Sequence, residues 1–207
     1  MMCRFLVTAT IVCLATASGA SAQSPFYVGA SVGGSIFFDQ EIEEGGADFD
    51  VEYDQPSFVF AGLLGYKVAT NIRVEAEISY AFGEGDVTAS ILGVDIAENG
   101  FDISVLSGSA GVFLDLWPVG TFIPYVGGGV GYSQVSVNID GDLSEQDQDA
   151  PLVFGEVGLP FSLTPELSIV PAARFNWIFT EEEIGDGDLF ADDLYTTELR
   201  LGVRYGF

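Results

Sequence analysis

The chain has 207 residues, of which 6 are basic and 31 acidic; it has no histidine, a net charge of -25, 48% hydrophobic residues and 26 glycines. So acidic a surface excludes a nucleic-acid ligand, because phosphate backbones are held by Lys and Arg. So high an apolar content excludes a solvated, disordered acidic chain, and the apolar side chains must be buried against protein or lipid.

The first 22 residues read as a secretory leader. Arg4 supplies the positive start, Phe5 to Ala17 the apolar stretch, and Ala20-Ser21-Ala22 the cleavage site, so the mature chain is expected to begin at Gln23. The apolar stretch is too short for a membrane span of about 20 residues. Both cysteines, Cys3 and Cys13, lie in this leader. The mature part is thus expected to hold no disulfide, although its compartment permits one. Cys13 follows Thr-Ile-Val, not the small residues of a lipidated start. Residues 23–207 read as one domain, and no later stretch reaches about 18 uninterrupted apolar residues, so no inner-membrane helix is expected.

From there the pattern has period two, the mark of a strand with unlike faces. Phe26 to Phe37 is the first predicted strand, with Phe26, Val28, Ala30 and Val32 on one face and Tyr27, Gly29, Ser31 and Gly33 on the other. Phe58 to Lys67 is the second. Ile72 to Phe82 is the third: Ile72, Val74, Ala76, Ile78, Tyr80 and Phe82 face one way, Arg73, Glu75, Glu77, Ser79 and Ala81 the other. Phe101 to Leu114, Phe122 to Ser133, Leu152 to Leu163 and Leu167 to Phe179 follow. The last, Tyr195 to Phe207, alternates most strictly. All eight have ten residues or more. Globular strands usually have about 5–6, whereas a tilted membrane strand needs about 9–11.

The connections alternate long and short. Residues 39–56, 83–100, 134–150 and 180–193 are long; 69–71, 115–121 and 164–166 are short. Extracellular loops on one rim of a barrel and periplasmic turns on the other produce this alternation. Val87 to Val94 fits either an extension of the third strand or a short strand of a ten-stranded barrel. The fold class expected is all-β: an eight-stranded antiparallel up-and-down transmembrane barrel, closed because lipid offers no partner to a free backbone edge.

Charge placement sharpens this. The basic residues of the mature part, Lys67, Arg73, Arg174, Arg200 and Arg204, all fall on the inward register, as do Glu75, Glu77, Glu156 and Glu198. They are expected to fill a narrow lumen as a structural network of ion pairs. A soluble barrel with the apolar face inside has the same periodicity. Strand length, two aromatic belts and the chain end favour the membrane. Tyr80, Phe82, Trp177 and Phe179 make one belt; Trp117, Phe122, Phe161, Tyr205 and Phe207 make the other. The glycines at 127, 128, 129 and 131 leave room inside a strongly curved sheet. They lack the Gly-Lys-[Ser/Thr] ending of a phosphate loop.

Three segments carry a resemblance: Phe26-Tyr27-Val28-Gly29-Ala30-Ser31-Val32-Gly33, Pro124-Tyr125-Val126-Gly127-Gly128-Gly129-Val130-Gly131-Tyr132, and Leu199-Arg200-Leu201-Gly202-Val203-Arg204-Tyr205-Gly206-Phe207. They resemble the first, fifth and last strands of the small outer-membrane barrels that include opacity-type surface proteins and OmpA-like barrel domains. The resemblance covers nearly all of residues 26–207. It implies periplasmic termini, a bacterial outer-membrane location, and contact with membrane lipid and lipopolysaccharide. It also implies that Leu199, Leu201, Val203, Tyr205 and Phe207 form a C-terminal signal for the outer-membrane assembly machinery. The expected protein is a monomer. The family hosts many roles, so fold alone does not decide function.

The long connections hold 24 of the acidic residues and no basic one. A repulsive, solubilising rim is one account. Weak calcium or magnesium binding is another, with Asp39, Glu41, Glu43 and Glu44, and Glu181, Glu182, Glu183, Asp186 and Asp188 as hard oxygen ligands. Neither run follows the calcium-loop spacing. Without His, and without Cys beyond residue 13, a Ser-His-Asp or Cys-His centre and a His- or Cys-ligated zinc site are excluded. No enzyme activity and no cofactor are expected. A structural or surface-interaction role is the leading expectation, with a small-solute pore or a host or matrix adhesin as alternatives. Eight strands enclose about enough room for side chains alone, against 16–18 for an aqueous porin.

Overall fold

The computed structural model describes residues 24–38, 40–44, 47–53, 57–91, 94–118, 122–139, 146–179 and 193–207. In chain order the strands are β1 (Phe26–Phe37), β2 (Gln40–Glu44), β3 (Ala47–Tyr53), β4 (Ser57–Lys67), β5 (Ile72–Ile91) and β6 (Val94–Asp115). They continue with β7 (Tyr125–Ile139), β8 (Gln146–Gly158), β9 (Phe161–Ser162), β10 (Leu167–Ile178) and β11 (Leu194–Gly206). Eight of them close a ring in the order β5-β4-β1-β11-β10-β8-β7-β6, and β6 returns to β5. Every pairing is antiparallel. The seam between the first and last strands runs from Tyr27 opposite Gly206 to Phe37 opposite Thr196. Main-chain bonds from Ser24 N to Phe207 O and from Phe207 N to Phe26 O tie the two ends together on the rim of short turns.

Alternation puts unlike residues on the two sides of this ring. Phe60, Leu64, Ile78, Val130, Leu199 and Leu201 are each more than half exposed, while Arg73, Glu75, Arg174, Glu198 and Arg200 are 3–6% exposed. A soluble barrel would show the reverse, and a soluble monomer rarely leaves so continuous an apolar band in water. Hydrocarbon is the medium that accepts this outer face and rejects the inner one. Among the described residues no helix is long and apolar enough to cross a membrane; the strands do so.

The structure revises several sequence expectations. The connection predicted over 39–56 contains the β2–β3 hairpin, which adds to β5 with Tyr53 opposite Gly85 and Asp48 opposite Ser90. Residues 87–91 form the tip of β5 and Val94 opens β6, strands of 20 and 22 residues, with Ile91 opposite Val94. They therefore extend the third barrel strand and add no further strand to the ring. Since about 9–11 residues cross the membrane, these two strands project well past it. β7 starts at Tyr125 and runs to Ile139, later at both ends than expected; Phe122 makes only an isolated bridge to Phe161. The predicted sixth strand is broken at Leu159–Pro160 into β8 and β9, beside Pro171 of β10, whose carbonyl accepts the Leu159 N–H. Both prolines lack an N–H, so the ladder is interrupted where neither can donate.

Candidate functional site

The interior of the barrel is the candidate site. Nearest the short turns, Tyr27 Oη donates to Glu75 Oε1 at 2.5 Å and Arg73 Nε to the same oxygen at 2.7 Å. Arg73 Nη1 pairs with Asp115, and Arg204 Nη2 lies 3.2 Å from Glu75. Tyr125 Oη donates to Glu156 Oε1 at 2.6 Å. The Arg73 guanidinium rests over the Tyr125 ring, 4.1 Å from its centroid, a favourable cation–ring contact.

One layer further in, Glu77 Oε1 accepts from Arg174 Nη1 at 2.5 Å and from Arg200 Nη1 at 2.7 Å. Arg200 also pairs with Glu198, and Arg174 approaches Glu156 at 3.7 Å. Arg174 donates through Nη2 to Ser109 and through Nε to Asn176, and its guanidinium lies 3.6 Å from the Phe154 ring centroid. Asn176 Nδ2 continues to Thr196 Oγ1 and Glu198 Oε1, both at 2.9 Å. Towards the long loops the interior turns apolar, with Phe37, Val59, Ile103, Val135 and Leu194 at most 2% exposed.

Local sequence explains the placement. Arg73, Glu75 and Glu77 on β5, Arg174 and Asn176 on β10, and Glu198, Arg200 and Arg204 on β11 all sit at inward positions of strict alternation. The two tyrosines need space on the neighbouring strand. Tyr27 lies opposite Gly65 and Tyr125 opposite Gly158, and a Cβ on either glycine would run into the tyrosine ring.

Of the residues selected from sequence, Arg73, Glu75 and Arg204 form one ion-paired group and Glu77, Glu156, Arg174, Glu198 and Arg200 another, and Tyr125 joins the two by donating to Glu156 and accepting from Arg204. Lys67 joins neither. It shares the inward register, opposite Arg73, but stands exposed on the rim with no ion pair among the described residues. Its strand ends there, so the ammonium is left at water level. Sequence reasoning did not select Tyr27, Asp115, Tyr125, Ser109, Asn176 or Thr196. The inward register of the two tyrosines, each opposite a glycine, was the available signal. Leu199, Leu201, Val203, Tyr205 and Phe207 all project outward and are exposed. Glu41, Glu43 and Glu44 lie along β2. Asp39, Glu181, Glu182, Glu183, Asp186 and Asp188 lie outside the described residues, as does the predicted leader. Among the described residues no group of three or more candidate ligands is placed to hold a metal ion.

Fold and interior together define a closed, eight-stranded transmembrane barrel whose lumen is filled by paired charges. Residues 5–207 match the family model for the outer membrane protein beta-barrel domain, and the chain belongs to that family. Among solved structures it is similar to Neisserial surface protein A, with 17% identity and a TM-score of 0.56 over 90% of this chain and 100% of the other. It is also similar to the outer membrane protein OprG from Pseudomonas aeruginosa, with 17% identity and a TM-score of 0.60 over 89% and 97% of the two chains. These likenesses are likenesses of fold. No curated protein matches the sequence.

Proposed function

We propose that the protein is a sealed structural barrel of the bacterial outer membrane, with its termini in the periplasm and its acidic hairpins outside, performing no catalysis. The observation that carries this reading is the occupied lumen. Three arginines and four glutamates cross-link β5, β8, β10 and β11 there, and Arg73 ties β5 to β6 through Asp115. Deep beside them lie cavities of about 10 and 20 Å³, each with room for about one water, while a cavity of about 160 Å³ opens at the barrel mouth against Arg73 and Arg204. A row of isolated waters is not a conduit for solutes. Planar-bilayer recording tests this: folded protein at nanomolar concentration should give no stable unit conductance. A steady conductance would replace the structural reading with a pore.

A second reading concerns the projecting hairpins. The register sets Glu41 opposite Asp50, Glu43 opposite Asp48, Glu52 opposite Asp86 and Glu84 opposite Asp102. Like charges directly opposed across a ladder destabilise it, and a bound divalent cation relieves that repulsion. This supports weak calcium or magnesium holding by the outer hairpins, exchangeable and without a fixed cage. Isothermal titration of the detergent-folded protein with calcium should show heat; no heat removes this reading.

A further inference from the structure

The outer face is not uniformly convex. Where β4, β5, β6 and β7 run side by side, a groove of about 560 Å³ opens between the side chains. Its floor is made of small residues placed next to one another by the register: Ala76 opposite Ala110, and Gly128 beside Val112. Leu64, Tyr66 and Phe26 rise along one side, with the Phe26 and Tyr66 rings 4.8 Å apart. Immediately beyond Tyr66 stands Lys67. On the rim below these four strands, Arg73 and Asp115 neutralise each other, and Lys67 is the remaining charge among the described residues. Phe26 borders both the groove and a second cavity of about 160 Å³ at the barrel mouth, lined by Lys67, Arg73 and Arg204 and by the carboxylates Asp115 and Glu166.

We infer that this groove and Lys67 together form a site for one anionic phospholipid of the periplasmic leaflet, one acyl chain lying in the groove and the phosphate meeting the lysine ammonium. The inference rests on the transmembrane reading above. The groove is almost wholly apolar and lies in the lipid-facing band, so a hydrocarbon chain fills it with little desolvation of polar groups. Its position near the short turns selects the leaflet on the side of the termini. Lys67 supplies charge complementarity that no other residue on this section of the rim leaves free. Lys67 stands on the inward register at the very end of its strand, where a long flexible side chain can carry the ammonium over the rim to the headgroup level. A second copy of the chain is the poorer occupant, because two bodies each of charge -25 repel.

The test is native mass spectrometry of the detergent-folded full chain, with phosphatidylglycerol and phosphatidylcholine of identical acyl chains competing. Wild type should retain one phosphatidylglycerol with about fivefold preference, the size expected for one lysine at an anionic headgroup. Lys67→Gln should lose the preference while still carrying either lipid. Ala110→Phe, or Ala76→Phe if that variant does not fold, should lose retention of both by filling the groove. Equal retention of the two lipids by wild type, or an unchanged preference in Lys67→Gln, overturns the proposal. Each variant is first checked for heat-modifiable gel migration. A wild type that stays soluble without detergent would instead remove the transmembrane reading on which the site depends.

Discussion

Arg174 and Glu77 are 97 residues apart in the chain and meet at 2.5 Å across the full width of the barrel. Their strands, β10 and β5, are four steps apart whichever way the ring is followed. The contact is therefore a strut along a diameter. Arg200 of β11 ends on the same Glu77 oxygen at 2.7 Å, so one carboxylate braces two strands of the opposite wall.

Removing a partner from such a cluster leaves a charge without compensation in a site that excludes water. Arg200→Ala strands Glu198 and half-strands Glu77, and Arg73→Ala strands Asp115 and leaves Glu75 with Arg204 alone. Each should cost about 3–5 kcal/mol. The urea midpoint of barrel unfolding in lipid vesicles should fall accordingly, while a substitution beyond the membrane such as Thr88→Ala, in the projecting tip of β5, leaves it near wild type. Equal midpoints would contradict the bracing role.

The tyrosine–glycine contacts make a sharper steric prediction. Gly65→Ala places a methyl inside the Tyr27 ring position and pushes the hydroxyl away from Glu75. It should destabilise by about 1–3 kcal/mol. Gly62→Ala, outward on the same strand with nothing near its Cβ, should be neutral or stabilising by up to about 1 kcal/mol. Urea titration of the two variants side by side distinguishes a packed lumen from general intolerance in β4.

On the outer face the sign of a charge substitution reverses. Ile78 is 68% exposed and sits near mid-span, opposite Gly62 and Gly108. Ile78→Arg should cost about 2–4 kcal/mol, the penalty for a charge at the bilayer midplane. In a soluble barrel the same change at so exposed a site would be nearly silent, and thermal or urea unfolding in vesicles reads the difference.

The opposed carboxylates outside the membrane predict a gain. Asp102→Asn removes the repulsion with Glu84 across β5 and β6. In chelator it should stabilise the hairpin by a few tenths to about 1 kcal/mol. Millimolar calcium should erase the difference between variant and wild type. A variant that melts like wild type under both conditions would show that the register carries no charge strain.

The barrel strands were legible because period-two alternation survives wherever one face meets lipid and the other a filled lumen. Ile72 to Phe82 and Tyr195 to Phe207 show it plainly. Alternation also found the arginines and glutamates, since few positions offer so long a charged side chain a place inside. It was not carried into β2 and β3: β3 alternates Ala47, Phe49, Val51 and Tyr53 with Asp48, Asp50 and Glu52, but at seven residues it is shorter than a membrane strand, and the dense acids on both segments read as a loop. Tyr27 and Tyr125 were passed over because selection by charge finds arginines and carboxylates and not a neutral hydroxyl on the same inward register. The apolar upper lumen was missed for a related reason: Phe37, Ile103 and Leu194 break the rule that inward residues are polar. Lys67 shows the remaining limit, that register gives the side of a strand but not the depth at which it ends.

The central claim is that the apolar side of the strands touches hydrocarbon. Beyond residue 13 the chain has no cysteine, so single spin labels can be placed without background. With labels at Ile78→Cys and Leu199→Cys on protein folded into vesicles, relaxation should respond strongly to oxygen, which concentrates in lipid, and weakly to a water-soluble nickel chelate. Strong relaxation by the chelate at both positions would place that face in water and contradict the account.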